Sequence, residues 1–182
     1  MQTIRVHDKD FIPYIPQPEI ESAVKQLAHN LNKDYAGKCP LFLAILNGAF
    51  MFAAELFKHL SIPAEICFIK LASYKGTTSS GHVITSIGLD TEVKGKHIIV
   101  VEDILDTGKT LSQFLPQIKN QQPASLKIAA MLHKPEATEH EIHLDYNCFK
   151  IPNKFVVGFG LDYNGFGRNI PAIYQLKEDD EL

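Results

Sequence analysis

The sequence predicts an α/β fold in which a mostly parallel central sheet is flanked by helices on both faces. Three observations indicate this architecture. Short, continuous apolar runs have the composition of strands that are buried on both faces, as in Leu41-Phe42-Leu43-Ala44-Ile45-Leu46. Segments with apolar residues at helical spacing alternate with these runs. Small or polar residues follow the runs directly, as expected where parallel strands end at one edge of a sheet.

The predicted elements alternate along the chain. An amphipathic helix spans residues 19–35 and ends before Gly37, and the first strand spans residues 41–46. A second helix carries Phe52, Leu56 and Leu60 at helical spacing. Strands follow at residues 65–72 and 126–132, and between them a strand that starts at His97 leads into a helix over residues 107–117.

Length and composition limit the possible functions. A chain of 182 residues is long enough to bury a sizeable core, and we expect residues 1–182 to form a single domain. Acidic residues number 21 and basic residues 18, so neither nucleic acid nor an anionic membrane is expected as a partner. We find no signal peptide, and no apolar run approaches about 18 residues. Three cysteines without metal-ligand spacing fit a reducing compartment, so we expect a cytoplasmic protein.

One stretch carries the prediction of function. The apolar, β-branched run that starts at His97 ends in two adjacent carboxylates, Glu102 and Asp103, where a parallel strand reaches the carboxyl edge of its sheet. A tight turn from Asp106 to Thr110 then leads into the helix. The first N–H groups and the dipole of that helix can bind an anion, while carboxylates can bind hydroxyl groups. Together these groups predict a site for a ribose phosphate.

Other motifs fit this stretch less well. Gly108-Lys109-Thr110 matches the end of a Walker A loop, but that loop needs glycine at the position of Asp103. Asp106-Thr107-Gly108 matches the tripeptide of aspartic proteases, which need two such aspartates in an all-β setting. This chain has one, and a helix follows it. An ordinary capped turn with solvated acids is the simplest remaining alternative.

Two segments resemble a known family. Residues 100–110, VVEDILDTGKT, resemble the phosphoribosyl-pyrophosphate (PRPP) signature of type I phosphoribosyltransferases, and in detail the hypoxanthine-guanine branch. Residues 151–168, IPNKFVVGFGLDYNGFGR, resemble the purine-binding hood of that branch. The resemblance covers residues 41 to about 168. It implies the type I phosphoribosyltransferase fold, with a small hood built from the N-terminal segment and about residues 150–182.

The resemblance implies that the signature binds PRPP. Glu102 and Asp103 bind the ribose hydroxyls, directly or through a metal ion, and Asp106 is the catalytic base that accepts a proton from the purine. The 5′-phosphate is held by the turn residues that follow, namely Thr107, Gly108, Lys109 and Thr110. The implied cofactor is Mg²⁺, with Glu102, Asp103 and Asp162 as its ligands.

The pyrophosphate of PRPP is implied to bind at two other segments. Asn47 and Gly48 follow the first strand, at a loop whose first position is commonly lysine in the family and is joined to the preceding leucine by a cis peptide bond. Arg168 reaches the pyrophosphate from the hood. Ser73 and Tyr74 resemble the start of a flexible loop that closes over the active site. Closure has a physical purpose, since water reaching the cationic sugar transition state would hydrolyse PRPP.

The purine is implied to be bound by three residues. Lys134 binds the 6-oxo group, Phe155 stacks on the base, and the Val156 backbone reads its edge. The implied reaction is transfer of the 5-phosphoribosyl group from PRPP to N9 of hypoxanthine or guanine by a homodimer or homotetramer. Two alternatives stay open, namely a phosphoribosyltransferase for another base and a non-catalytic regulator that senses PRPP. Such a regulator is expected to lack Asp106 or the hood.

Overall fold

A six-stranded sheet forms the centre of the molecule. The computed structural model describes residues 2–73, 83–87 and 91–177. Five strands of the sheet are parallel, and the sixth is an antiparallel strand at one edge. In chain order the strands are β3 (Leu41–Leu46), β4 (Glu65–Ser73), β5 (Val83–Ile87), β6 (His97–Leu105), β7 (Ser125–His133) and β8 (Tyr146–Lys150). Their spatial order is β5-β4-β3-β6-β7-β8.

Helices cover both faces of this sheet, as predicted. They are α1 (Gln17–Asp34), α2 (Phe50–Lys58) and α3 (Lys109–Lys119). Alternate residues of β3 point to opposite faces, so Phe42 and Ala44 pack with α1 and α2, whereas Leu43 and Ile45 pack with α3. The continuous apolar runs of β3, β6 and β7 follow from this double burial. The predicted helices at residues 19–35 and 107–117 agree with α1 and α3 to within two residues at each end.

A second, smaller sheet forms the hood. Its strands are β1 (Ile4–Val6), β2 (Lys9–Ile15), β9 (Val156–Val157) and β10 (Ile173–Leu176). They pair antiparallel in the order β1-β2-β10-β9, so two strands from each end of the described chain build it. Its own core includes Phe11, Val157 and Tyr174. The predicted fold class, a mostly parallel sheet with flanking helices and a small hood, is confirmed.

The outer strand β4 differs in detail from its sequence pattern. Ile66 and Phe68 are 36% and 40% exposed, whereas Ile69 is completely buried. Ile66 and Phe68 lie two residues apart and therefore on one face of the strand, so apolar character alone does not mark the buried face here. Ser73 ends β4, but Tyr74 lies outside the described residues, so the structure does not address the predicted loop. No helix in the described ranges is long and apolar enough to span a bilayer.

The carboxyl ends of the parallel strands bring the predicted site residues together. β3 ends just before Asn47, β6 just before Asp106 and β7 just before Lys134. In the pairing of β6 with β7, Leu105 lies opposite His133. Asp106 and Lys134 are therefore the first residues beyond two paired strand ends.

Candidate active site

The turn between β6 and α3 forms an open pocket. Its lining includes Glu102, Asp106 and the four turn residues that follow, Thr107, Gly108, Lys109 and Thr110. The Ser112 N–H donates to the Gly108 carbonyl at 2.9 Å, so the N–H groups before it have no partner within the helix, and the Lys109 N–H donates to Thr107 Oγ1 at 3.3 Å. The turn therefore presents backbone donors and hydroxyl groups at a helix N-terminus, which is suited to a phosphate group.

Two carboxyl groups lie against each other next to this pocket. Burial raises the pKa of Glu102 well above its usual range, and the negative charge of Asp103 raises it further. Burial also raises the pKa of Asp103, although its hydrogen bonds to Glu102 and to the Ile104 N–H oppose the effect. Among the described residues, Glu102 Oε2 is buried and has no hydrogen-bond partner. One carboxyl oxygen of the pair is thus buried without a donor.

The loop after β3 packs directly on this acid pair. A Cβ atom on Gly48 would lie 1.4 Å from Asp103 Oδ2, so only glycine fits between the loop and the carboxylate. Gly160 of the hood approaches the same loop from the other side, where its Cβ would lie 2.0 Å from the Gly48 carbonyl oxygen. The peptide bond between Leu46 and Asn47 is cis, which the sequence left open, and Asn47 is exposed.

Arg168 connects the hood to this cluster. Its Nη1 donates to the Gly160 carbonyl at 2.7 Å, and its Nη2 lies 2.6 Å from Asp162 Oδ1. The positive charge of Arg168 also lowers the pKa of Asp103. The structure therefore brings together the loop after β3, the acid pair and the predicted pyrophosphate arginine.

Asp162 does not join Glu102 and Asp103 in one carboxylate cluster. Its Oδ1 pairs with Arg168, and its Oδ2 accepts a hydrogen bond from the Gly165 N–H at 2.6 Å. Within the part of the chain that the structure describes, no three His, Cys, Asp or Glu side chains are grouped to hold a metal ion. The acid pair and Asp162 are therefore two separate candidate positions, and their role as metal ligands stays a prediction.

Asp106 and Lys134 form an ion pair at the edge of the pocket. Lys134 Nζ donates to Asp106 Oδ2 at 3.2 Å. The lysine is only 6% exposed, while the carboxylate of Asp106 is 46% exposed. The Lys134 N–H donates to the Leu105 carbonyl at 2.9 Å, which extends the pairing of the two strands. The catalytic base and the 6-oxo contact implied by the resemblance are thus neighbours.

An aromatic group in the hood includes the predicted stacking residue. Phe155 is 37% exposed, and its ring centroid lies 5.8 Å from that of Tyr163 at an angle of 87° and 6.3 Å from that of Phe11. The next residue, Val156, is buried and begins β9, where it pairs with Gln175. Phe155 is therefore partly exposed and directly precedes a hydrogen-bonded strand, which suits a stacking surface.

Known proteins share this sequence and this fold. The sequence model of the phosphoribosyl transferase domain family matches residues 14–164. The chain belongs to the phosphoribosyltransferase family. It is 46% identical over 166 residues to a hypoxanthine-guanine phosphoribosyltransferase of Streptococcus pneumoniae, covering 91% of this chain and 92% of that protein. The resemblance inferred from residues 100–110 and 151–168 is confirmed.

Solved structures of similar proteins agree. The crystal structure of a hypoxanthine phosphoribosyltransferase from Staphylococcus aureus matches this phosphoribosyltransferase with a TM-score of 0.86 and 36% identity, over 92% of this chain and 91% of that one. A hypoxanthine-guanine phosphoribosyltransferase from Bacillus anthracis matches with a TM-score of 0.85 and 33% identity, over 95% and 100%.

Sequence reasoning missed two residues that shape this phosphoribosyltransferase site. Gly160 carries no functional group, and its contact with Gly48 joins residues far apart in the sequence. The Gly158-Phe159-Gly160 pattern was the available signal, since closely spaced glycines often mark a close backbone approach. The second is Thr138, whose hydroxyl lies 2.9 Å from the Asp106 carbonyl oxygen. It stands in a polar segment without any motif, so no sequence pattern indicates its role.

Replacing Gly48 with alanine tests the packing between the loop and the acid pair. Gly48→Ala should lower the free energy of unfolding by about 1–3 kcal/mol and reduce turnover, because the new methyl group displaces the Asp103 carboxylate. Gly37→Ala is the matched control, since that glycine has open space but a φ of +73°. It should cost about 1 kcal/mol through backbone strain alone and leave turnover unchanged. Thermal unfolding and steady-state kinetics measure both effects. Equal turnover in the two variants would contradict the assigned contact.

Proposed function

We propose that this phosphoribosyltransferase transfers the 5-phosphoribosyl group of PRPP to N9 of hypoxanthine or guanine, giving IMP or GMP and pyrophosphate in purine salvage. The observation that carries the proposal is the buried Lys134 paired with Asp106 beside a phosphate-binding turn. In this pair, Lys134 is a donor for a 6-oxo group and Asp106 is a base for a ring proton. The relatives named as hypoxanthine-guanine phosphoribosyltransferases support the same substrates.

The proposed reaction is a displacement at C1′ of the ribose. N9 of the purine forms a bond to C1′ while the bond from C1′ to the pyrophosphate oxygen breaks, which inverts the anomeric centre. The proton on N7 passes to the Asp106 carboxylate, and the same negative charge balances the cationic sugar in the transition state. A positioned general base of this kind contributes about 10²–10⁴-fold to the rate. The turn residues 107–110 hold the 5′-phosphate and keep C1′ in place.

A magnesium ion fits the acid pair. Glu102 and Asp103 would hold it, because Glu102 Oε2 has no hydrogen-bond partner and burial raises the pKa of both carboxyl groups. Oxygen ligands from one or two carboxylates, completed by substrate oxygens and water, are the usual set for Mg²⁺. When bound, the ion neutralises charge on the leaving pyrophosphate. Asp162 is a further candidate ligand, and in this structure its carboxylate forms an ion pair with Arg168.

Lys134 explains the proposed choice of base. Its ammonium group donates hydrogen bonds and accepts none, so it favours a 6-oxo group. An adenine amino group at that position would set donor against donor and leave the buried lysine unsatisfied. Phe155 would stack on the purine, with the Val156 backbone at its edge.

We also propose how the protein is organised. The contact between Gly160 and Gly48 joins the hood to the main sheet, which supports one catalytic domain over residues 1–182. The exposed Ile66 and Phe68 on one face of β4 support a homodimer or homotetramer. A cytoplasmic location fits Cys148, which forms no disulfide bond.

One experiment tests the proposed function directly. PRPP-dependent nucleotide formation is measured with hypoxanthine, guanine, xanthine, adenine, orotate and uracil, each with and without Mg²⁺. Activity with the 6-oxopurines and only with Mg²⁺ is expected. Preference for another base would replace the substrate assignment. PRPP binding without product from any base would instead identify a sensor of PRPP.

Replacing Asp106 with asparagine tests the general base. Asp106→Asn should lower kcat by about 10²–10³-fold, because the amide cannot accept the N7 proton. The dissociation constant of PRPP should change little, since backbone and hydroxyl donors hold the 5′-phosphate. Asp34→Asn, at an aspartate that accepts a hydrogen bond from Tyr146 at 2.7 Å, is the control for loss of a carboxylate. Wild-type kcat in the Asp106 variant would remove that residue from its proposed role.

Replacing Phe155 with alanine tests base stacking. Phe155→Ala should raise KM for hypoxanthine by roughly 5- to 150-fold, because stacking on an aromatic ring is worth about 1–3 kcal/mol per base. KM for PRPP should rise far less. Phe166→Ala removes the most exposed ring among the described residues of the same hood and should leave both constants near wild type. An equal rise in the two KM values would mark Phe155 as a packing residue.

Introducing a lysine at Asn47 tests the pyrophosphate loop. Asn47→Lys adds a charge at an exposed position, so pyrophosphate inhibition should tighten by about 1 kcal/mol, or roughly fivefold, at low salt. The gain should shrink at high salt, because ions screen only the charged form. Asn120→Lys adds the same charge at the far end of α3 and should have no such effect. Inhibition constants that match wild type at both salt concentrations would place residue 47 away from the pyrophosphate.

A further inference from the structure

We propose that Thr138 is a positioning residue that fixes the distance between Asp106 and Lys134, an inference that rests on the function proposed above. Thr138 belongs to none of the motifs on which the proposed function rests. Its hydroxyl contacts the main chain of Asp106 and of Lys134, the two residues that are proposed to bind N7 and O6 of the purine.

Asp106 and Lys134 lie where the pairing of two strands ends. Leu105 and His133 are the last paired residues, and the Lys134 N–H still donates to the Leu105 carbonyl at 2.9 Å. Beyond this point Asp106 enters the phosphate turn, while Lys134 begins the segment that leads away from β7. The strand ladder therefore stops at the two positions whose spacing matters most for the purine.

The Thr138 hydroxyl continues the connection beyond the ladder. Its Oγ1 lies 2.9 Å from the Asp106 carbonyl oxygen and 2.9 Å from the Lys134 carbonyl oxygen. Because a hydroxyl carries one proton, it shares that proton between the two acceptors. His133 Nε2 lies 3.4 Å from the same oxygen, and burial lowers the pKa of this imidazole. One side chain thus ties together the backbone of both residues.

The segment around Thr138 is itself held in place. The Ala137 N–H donates to the Lys134 carbonyl at 3.1 Å, which closes a turn before Thr138. After it, the N–H groups of Glu139 and His140 donate to the Thr107 carbonyl at 3.1 and 3.2 Å. Threonine is β-branched and stiff at χ1, so a fixed backbone also fixes its hydroxyl. Thr138 is therefore a rigid link between the phosphate turn and Lys134.

The consequence concerns the purine more than PRPP. A purine bound as proposed contacts Asp106 through N7 and Lys134 through O6, so a shift of one backbone against the other disturbs both contacts together. The 5′-phosphate contacts come from residues 107–110 and do not involve Lys134. Small displacements of reacting groups have large effects on rate. Loss of the Thr138 hydroxyl should therefore act on the purine selectively.

Kinetics of two variants test this role. Thr138→Val keeps the shape of the side chain and removes the hydroxyl, whereas Thr138→Ser keeps the hydroxyl and removes a methyl group. We expect the valine variant to raise KM for hypoxanthine by about 5- to 10-fold, the equivalent of one hydrogen bond, with KM for PRPP within about twofold of wild type. The serine variant should stay within about twofold of wild type for both substrates, because it keeps the hydrogen bonds.

Ser125→Ala is the matched control. Ser125 Oγ lies 2.8 Å from His97 Nδ1 at the opposite edge of the sheet, so this variant loses a hydroxyl contact away from the site. Its KM values for both substrates should match wild type, even if its unfolding temperature falls.

The proposal is overturned if Thr138→Val leaves KM for hypoxanthine unchanged, raises both KM values equally, or is matched by Thr138→Ser. If Thr138→Val does not fold, Thr138→Ala takes its place. The role is supported if Thr138→Ala binds hypoxanthine more weakly while Thr138→Ser keeps wild-type kinetics. It is overturned if Thr138→Ala binds hypoxanthine as well as wild type does. Failure of the wild-type protein to use hypoxanthine would instead overturn the proposed function.

Discussion

The parallel pairing of β6 with β7 is the constraint on which the rest of the site depends. It sets Leu105 opposite His133, and so delivers Asp106 and Lys134 side by side at the carboxyl edge of the sheet. Both strands are held by burial on two faces, with Val100 and Ala130 on the α3 side and Val101 and Ala129 on the other. A slip of one residue would move every side chain of a strand to the opposite face, so the core fixes the register and with it the site.

A second constraint is the close contact of three backbone segments. Asp103 leaves room only for a glycine at position 48, and the hood approaches the same loop through Gly160. Arg168 reinforces the contact, since it donates to the Gly160 carbonyl and its charge lowers the pKa of Asp103. The hood is therefore attached to the main sheet at the proposed pyrophosphate position. The hood also carries the aromatic group in which Phe155 packs edge-on against Tyr163.

The sequence was informative wherever structure is set by neighbouring residues. The apolar runs of β3, β6 and β7 and the periodicity of α1 and α3 are local patterns, and the structure agrees with them closely. Where the outcome depends on distant partners, the sequence was weaker. Ile66 and Phe68 are apolar strand residues, yet they are exposed, because burial depends on what packs against the strand from elsewhere in the chain. The contact of Gly160 with Gly48 depends on how the hood folds back, and Asp162 pairs with Arg168 rather than with the acid pair.

Thr138 illustrates the same limit inside the site. A threonine in a polar segment has no pattern that distinguishes a structural hydrogen bond from a solvated hydroxyl, and only the folded chain brings it to the Asp106 carbonyl. The PRPP signature was recognisable because its residues are contiguous in the sequence. Residues that support such a motif from another segment become visible only when the tertiary contacts are known.

The burial of Lys134 affects how binding energy is divided between folding and substrate. Its ammonium group is largely removed from water in the folded chain and keeps the Asp106 carboxylate as its partner. The free-energy cost of dehydrating this cation therefore opposes folding. Little of that cost is left to oppose the binding of a purine. An incoming 6-oxo group meets a donor that has almost no hydration shell to release, so more of the hydrogen-bond energy is available as affinity. A lysine at a solvent-exposed position would carry the same charge, but the substrate would have to displace its water.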